Sequence, residues 1–201
     1  MQTSIRVGKT WGTGMILWHK KEEKYPSVYE IFEEAIRKLK EKANGYTIRN
    51  ATEKDLEVVR EINLKTLPEN YPPYFFRDLW VKYNKAFYVA VSPGEKIVGY
   101  IMCRVEYKPG FFKHFLVKSG HVVSIAVLKE HRRKGLGYAL MAYAMKSLYE
   151  NYDCKETYLE VRVTNKPAIS LYEKLGYKII KILHQYYLDG EDAYLMARPL
   201  P

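Results

Sequence analysis

Cysteine and glutamine are scarce in this chain of 201 residues, which contains two of each. Two cysteines, Cys103 and Cys154, are too few for a disulfide framework or a four-ligand zinc site. The sequence therefore predicts a reducing, cytoplasmic setting. The shortage of glutamine beside abundant Lys and Glu is a compositional feature of thermophilic proteins.

Long hydrophobic runs are also missing. No stretch reaches the roughly 18 consecutive apolar residues that a membrane span needs, so no membrane partner is expected. Residues 1–13 are polar and the apolar run over residues 15–18 is short, so no signal peptide is predicted. Hydrophobic residues still make up 47% of the chain, which suffices for a core, and the length fits one domain.

Two common kinds of site are absent from the pattern. Gly8-Lys9-Thr10 resembles the end of a phosphate-binding Walker A loop, but the required first glycine is replaced by Thr3. The five histidines do not pair with carboxylates at helical spacing, so no metal is expected.

Acidic residues are also few relative to basic ones: 33 Lys and Arg residues stand against 23 Asp and Glu residues, which gives a net charge of +10. This charge suits a nucleic acid, an anionic surface or a phosphorylated small molecule, or it simply aids solubility.

The first 45 residues differ from the rest and are predicted to form an N-terminal extension, followed by one domain over residues 46–201. The extension begins with an irregular segment. Ser27 and Glu30 then form a capping-box pattern at the start of an amphipathic helix over residues 27–43, which Asn44 and Gly45 end.

From residue 46 the predicted order of elements is β-α-α-β-β-β-α-β-α-β-β. This order indicates a mixed α/β (α+β) fold with a central, mostly antiparallel, twisted sheet flanked by helices. The predicted strands span residues 46–49, 86–91, 97–107, 122–128, 156–163, 177–187 and 193–197. The predicted helices begin at Thr52, at residue 74, at residue 135 and at residue 167, and residues 108–119 are predicted to be a loop.

The strongest local motif follows the predicted central strand. A basic segment opens the next helix through two glycines, Gly135 and Gly137, and the free amide groups of the first helical turn favour an anion there. Arg132, Arg133 and Lys134 add neutralising charge. The motif predicts an anion-binding cradle, the alternative being an ordinary helix start with a solvated basic turn.

A second motif lies about thirty residues later. Asn165 precedes a helix, where its side chain can cap the helix or reach a ligand amide. Tyr172 lies two turns further along the same helix face. The alternative interpretation is a capped helix whose aromatic side chain anchors the core.

Together the two motifs resemble the GNAT superfamily of acetyl-CoA-dependent N-acetyltransferases. Its Arg/Gln-x-x-Gly-x-Gly/Ala motif matches residues 132–137, and its later Asn-x-x-Ala-x-x-Leu-Tyr-x-Lys-x-Gly-Phe/Tyr pattern matches residues 165–177. The segments 67–71, 120–127, 158–163 and 186–194 narrow this resemblance to the archaeal branch of the NatA-type N-terminal acetyltransferases. The resemblance covers residues 46–200 and implies a GNAT fold with acetyl-CoA as co-substrate and no metal.

The resemblance also implies the site residues. Glu160, His121 and Tyr172 are the expected catalytic residues: Glu160 and His121 act as bases, and Tyr172 meets the leaving sulfur or holds the cofactor. The expected cofactor-binding residues are Ile125, Ala126, Val127, Arg132, Arg133, Lys134, Gly135, Leu136, Gly137, Asn165 and Tyr172. The expected substrate-binding residues are Leu67, Pro68, Glu69, Tyr71, Tyr186 and Tyr187.

The implied reaction acetylates the α-amino group of protein N-termini that begin with Ser, Ala or Thr, and in archaeal relatives also with Met. Partners are then N-terminal peptides and, for nascent chains, the ribosome, with the enzyme a monomer or a weak oligomer. One alternative is a ribosomal-protein, lysine or small-molecule acetyltransferase of the same fold. A more remote one is a basic RNA- or ribosome-binding module.

Overall fold

The structure, a computed structural model, describes residues 25–200. Within them lie five α-helices and seven strands, in the order that the sequence predicts. The helices are α1 (Val28–Lys42), α2 (Leu56–Thr66), α3 (Pro73–Tyr83), α4 (Leu136–Tyr152) and α5 (Lys166–Lys174). The strands are β1 (Thr47–Asn50), β2 (Phe87–Val91), β3 (Ile97–Pro109), β4 (Leu116–Val127), β5 (Glu156–Arg162), β6 (Lys178–Leu183) and β7 (Ala193–Pro199). The irregular segment predicted before the first helix lies outside the described residues over positions 1–24.

The seven strands form one sheet with the order β1-β2-β3-β4-β5-β7-β6. Every neighbouring pair is antiparallel except β4 and β5, which run parallel. The mostly antiparallel sheet flanked by helices is therefore confirmed. The parallel pair is short, because β4 residues Ser119–His121 pair with Glu156–Tyr158 and the two strands then separate.

Helices cover both faces of the sheet. Helices α4 and α1 bury one face, and α2 and α3 bury the other around Tyr100 and Phe76. The capping box of α1 is present, since the Ser27 hydroxyl accepts from the Glu30 amide and the Glu30 carboxylate accepts from the Ser27 amide. The buried stripe of α1 joins the same core as α4, so the predicted helix is confirmed, and the domain boundary at residue 45 stays a prediction.

A buried arginine ties the start of α1 to the sheet. Arg198 on β7 is fully buried, and its guanidinium donates to the backbone oxygens of Pro26 and Leu175. Burial lowers the pKa of Arg198. These carbonyl oxygens accept hydrogen bonds from the buried guanidinium. The segment before α1 is therefore held by hydrogen bonds as well as by apolar packing.

Two predicted boundaries are wrong. Half of residues 108–119 are strand rather than loop: β3 continues to Pro109 and β4 starts at Leu116. The buried Glu156 carboxylate closes their connection by accepting from the Phe111 amide and the Ser119 hydroxyl. The strand predicted over residues 177–187 ends at Leu183, since Gln185 has a positive φ of 50°. Tyr186 and Tyr187 therefore lie in the β6–β7 connection.

Candidate active site

A cavity of about 770 Å³ opens where β4 and β5 separate. Residues 122–127 of β4 pair with β3 alone among the described strands, so their other edge faces the gap. The α2–α3 connection and the β6–β7 connection form the remaining walls, with α5 at the base. The predicted residues that line this cavity are Leu67, Pro68, Glu69, Tyr71, Ile125, Glu160, Asn165, Tyr172, Tyr186 and Tyr187.

Glu160 and His121 form the polar centre of the site. The Glu160 carboxylate lines the cavity, and its Oε2 lies 2.7 Å from His121 Nε2. His121 is not at the start of β4, as predicted, but in the middle of that strand, next to Tyr158 in register. His121 is buried and is not part of the cavity wall. A ligand in the cavity would therefore meet Glu160 first, with His121 behind it.

Helix α5 places Asn165 and Tyr172 at the cavity. The Asn165 side chain caps the helix by accepting from the Ala168 amide at 3.3 Å, which is the predicted capping role. Tyr172 follows two turns later and is buried, so desolvation raises the pKa of its hydroxyl. This phenol remains a proton donor throughout the physiological pH range.

Both connections at the cavity mouth are held by Arg162, a residue that the sequence analysis did not select. Its guanidinium donates to Glu69 on the α2–α3 connection and to Asp189 and Glu191 on the β6–β7 connection. It also lies 4.0 Å from the centre of the Tyr187 ring. Side chains alternate along a strand, so the Glu-Val-Arg sequence of β5 places Arg162 on the same face of the sheet as Glu160. This alternation is the sequence signal that could have identified Arg162.

Four tyrosines line the cavity: Tyr71, Tyr172, Tyr186 and Tyr187. Burial, followed by the nearby charge of Glu160, raises the pKa of Tyr186 to about 12. Burial and then the charge of Glu69 raise the pKa of Tyr71 and of Tyr187 in the same direction. The wall therefore offers neutral hydroxyl groups beside the carboxylates of Glu69 and Glu160.

The predicted anion cradle lies at the end of β4, at the start of α4 and apart from the cavity wall. Arg133 and Gly135 have positive φ angles of 65° and 86°, which curl the backbone around the helix start. Gly135 is the N-cap residue and has no side chain with which to cap the first amides of the helix. The Arg132 side chain folds back, because its Nε donates to the Val127 oxygen at 2.8 Å.

The comparisons with known proteins agree with this architecture. The acetyltransferase (GNAT) family model matches residues 56–177. The chain belongs to the GNAT acetyltransferase family. An N-alpha-acetyltransferase of Saccharolobus solfataricus is 53% identical over 163 residues, which cover 80% of this chain and 97% of that protein. The catalytic subunit NAA10 of the N-terminal acetyltransferase A complex of Arabidopsis thaliana is 38% identical, over 76% of this chain and 77% of the subunit.

A solved structure shows a similar fold. Naa20 of Chaetomium thermophilum, in complex with a bisubstrate analogue, aligns with a TM-score of 0.68 and 31% identity over 77% of this chain and 86% of that chain. The resemblance to archaeal NatA-type enzymes, the enzyme class and the acetyl-CoA co-substrate are thereby confirmed. Within residues 25–200, no helix combines the length and apolar character that crossing a bilayer requires.

Proposed function

We propose that this protein transfers the acetyl group of acetyl-CoA to the α-amino group of protein N-termini. The observation that carries this proposal is the separation of β4 from β5, because the cavity opens there and Glu160 lines it. A thioester bound along the unpaired edge of β4 would meet an amine that enters between the α2–α3 and β6–β7 connections, which carry the carboxylates of Glu69, Asp189 and Glu191. The two reactants then approach from opposite sides of the sheet edge, next to one ionisable carboxylate.

The CoA moiety is assigned to the cradle and to β4. Its pyrophosphate suits the uncapped amides at the start of α4 and the charges of Arg133 and Lys134. The pantetheine arm can bond to the free edge of β4, where the amides of residues 125–127 are candidates to stabilise the oxyanion. Asn165 at the start of α5 is close enough to the cavity to contact this arm.

Glu160 is the assigned base. An α-ammonium group has a pKa of about 7.7–8.0 and must lose a proton before it can attack. This proton goes to the Glu160 carboxylate, and the nitrogen lone pair then forms a bond to the thioester carbon. When the tetrahedral intermediate collapses, the nitrogen loses its second proton to solvent, the carbon–sulfur bond breaks and the thiolate leaves. Tyr172 is the assigned donor to that sulfur, since burial keeps its hydroxyl protonated.

The mouth favours a cationic peptide end. Arg162 contributes one positive charge there, against the carboxylates of Glu69, Asp189 and Glu191. This local excess of negative charge occurs in a protein whose net charge is +10. The tyrosine hydroxyls can bond to the peptide backbone and leave side-chain choice permissive. The proposed substrates begin with Ser, Ala, Thr or Met.

The partners and location are part of the same proposal. Nascent chains at the ribosome are the assigned source of substrate, because the basic surface suits an RNA-rich particle. The enzyme is assigned as a monomer or weak oligomer in the cytoplasm. Its two cysteines are free and buried, which agrees with a reducing compartment.

The test is acetyl transfer from labelled acetyl-CoA to peptides that differ at residues one and two. Each peptide carries an internal lysine, and a matched control has its α-amine blocked. The expected result is label on free N-termini alone, mapped by mass spectrometry. Equal labelling of the blocked peptides would favour the lysine acetyltransferase, and salt-dependent RNA binding without transfer would favour the RNA-binding module.

A further inference from the structure

A second carboxylate faces His121 from β3. Glu106 Oε1 lies 3.9 Å from His121 Nδ1, while Glu160 Oε2 lies 2.7 Å from Nε2. The imidazole is therefore placed between two carboxylates, one at each ring nitrogen. Glu160 belongs to the cavity wall, and Glu106 does not.

The Glu106 carboxylate is held in place by its neighbours. It accepts a hydrogen bond from the Tyr158 hydroxyl and pairs with Arg104 Nη2 at 2.7 Å. Burial alone would raise the pKa of Glu106, but the Tyr158 hydrogen bond and the charges of Arg104 and His121 hold it below its ordinary value. The Tyr158 ring also stacks on the imidazole, with centroids 4.4 Å apart and planes 2° apart. The same tyrosine thus orients both the carboxylate and the imidazole.

The position of His121 Nδ1 favours a proton on that atom. Nδ1 is buried and has no hydrogen-bond partner among the described residues. A neutral ring with its hydrogen on Nε2 would leave the Nδ1 lone pair 3.9 Å from the Glu106 carboxylate, which is unfavourable. A doubly protonated ring places an N–H group near each carboxylate, and Nδ1 is then about 1 Å beyond hydrogen-bond distance from Glu106.

We propose that Glu106 is a positioning residue that holds His121 as an imidazolium, so that Glu160 is kept ionised and correctly oriented. The proposal rests on the proposed function, in which Glu160 accepts the proton of the amine. The charged and titratable groups around this pair come from several elements. They are Arg104, Glu106 and Lys108 on β3, Tyr158 and Glu160 on β5, and Tyr71 and Tyr186 on the cavity side of Glu160.

The sign of the pH effect follows from this arrangement. An adjacent cation favours the ionised form of a carboxylate. Glu106→Gln keeps the shape of the side chain and removes its charge, so the imidazolium is disfavoured and Glu160 loses its cationic partner. The acidic limb of the rate profile should then move to higher pH. At alkaline pH the variant and the wild type should converge.

The first measurement is nitrogen NMR of the full-length protein labelled with ¹⁵N-histidine. Wild type at neutral pH should show His121 with both ring nitrogens protonated, whereas Glu106→Gln should show one unprotonated nitrogen. Glu95→Gln is the matched control, because it removes the same charge from the β2–β3 turn, eleven residues earlier in the chain. Identical His121 spectra for Glu106→Gln and wild type would overturn the proposal. This readout needs no acetyl transfer, so it stands apart from the proposed function.

The second measurement is the pH profile of peptide acetylation. Glu106→Gln should lose about five- to tenfold in kcat near pH 6 and less than twofold near pH 8.5, with an unchanged KM for acetyl-CoA. A uniform loss at every pH would mean a structural role and would contradict the proposal. Should Glu106→Gln fail to fold, Tyr158→Phe keeps the stacking and removes the hydroxyl that fixes Glu106. It should change the His121 signals in the same direction by a smaller amount.

Discussion

Arg162 and Glu69 join the two sides of the cavity mouth. Arg162 on β5 donates from Nε and Nη2 to one oxygen of Glu69, which lies beyond the end of α2. Its remaining nitrogen, Nη1, holds Asp189 and Glu191 beside the tyrosine pair. One guanidinium therefore fixes both segments that would contact a peptide, and its three ion pairs leave it little freedom to move.

Replacing Arg162 should weaken peptide binding. Arg162→Gln removes the charge that holds three carboxylates together, so both connections should loosen and repel each other. We expect the peptide KM to rise roughly tenfold, with the KM for acetyl-CoA within about twofold of wild type. Arg60→Gln on α2 is the control, since Arg60 pairs with Glu57 on the same helix, away from the cavity mouth. Equal changes in both KM values would contradict this role.

Negative charge at the helix start should block acetyl-CoA. Gly135→Asp and Gly135→Asn both place a side chain at a φ of 86°, so they share the same backbone cost. Only the aspartate adds a charge where a phosphate group must approach. Calorimetry should therefore show a much larger loss of acetyl-CoA affinity for Gly135→Asp, with both variants folded by circular dichroism. Equal affinities for the two variants would remove the anion-cradle assignment.

The order of the elements could be predicted because the apolar periodicity and the turn residues are local signals. The capping box at Ser27 and the cap at Asn165 are examples, since each depends on side chains within three residues of the helix start. The β3–β4 connection was mispredicted because it depends on Glu156, which lies about 45 residues away and accepts the amides of Phe111 and Phe112. Contacts over such separations leave no trace in local patterning.

The site residues were likewise predictable only where local motifs carry them. Glu160, Tyr172 and the two substrate segments, which the family motifs identified, all line one cavity. The motifs did not reveal Arg162 or Glu106, whose roles depend on partners from other elements. They also placed His121 at a strand end, whereas β4 extends five residues before it and buries the imidazole behind Glu160.

Helix α1 should contribute to stability. Ile31 is 2% exposed and faces α4, so Ile31→Ala should lower the free energy of unfolding by about 2–5 kcal/mol. Glu33→Ala, on the exposed face of the same helix, should change it by less than about 0.5 kcal/mol. Chemical denaturation measures both values, and equal effects would mean that α1 does not pack as described.

Removing residues 1–44 tests the domain boundary. A chain that starts at Gly45 should still acetylate peptides, because the cavity and the cradle lie beyond it. Its melting temperature should fall, since the apolar face of α4 beneath α1 becomes exposed. A folded but inactive truncated protein would place part of the site in the extension.

The most direct test of the account is the rate of acetyl transfer by Glu160→Gln. The amide keeps the shape of the side chain but cannot accept the proton, so kcat should fall by roughly 10²–10⁴-fold with little change in acetyl-CoA affinity. His121→Ala should lose less, and the double variant should lose less than the sum, because both residues serve one proton transfer. The Glu160→Gln profile should also move to higher pH, where more of the amine is already free. Wild-type turnover by Glu160→Gln across this range would contradict the account, because the amine would then attack without a base.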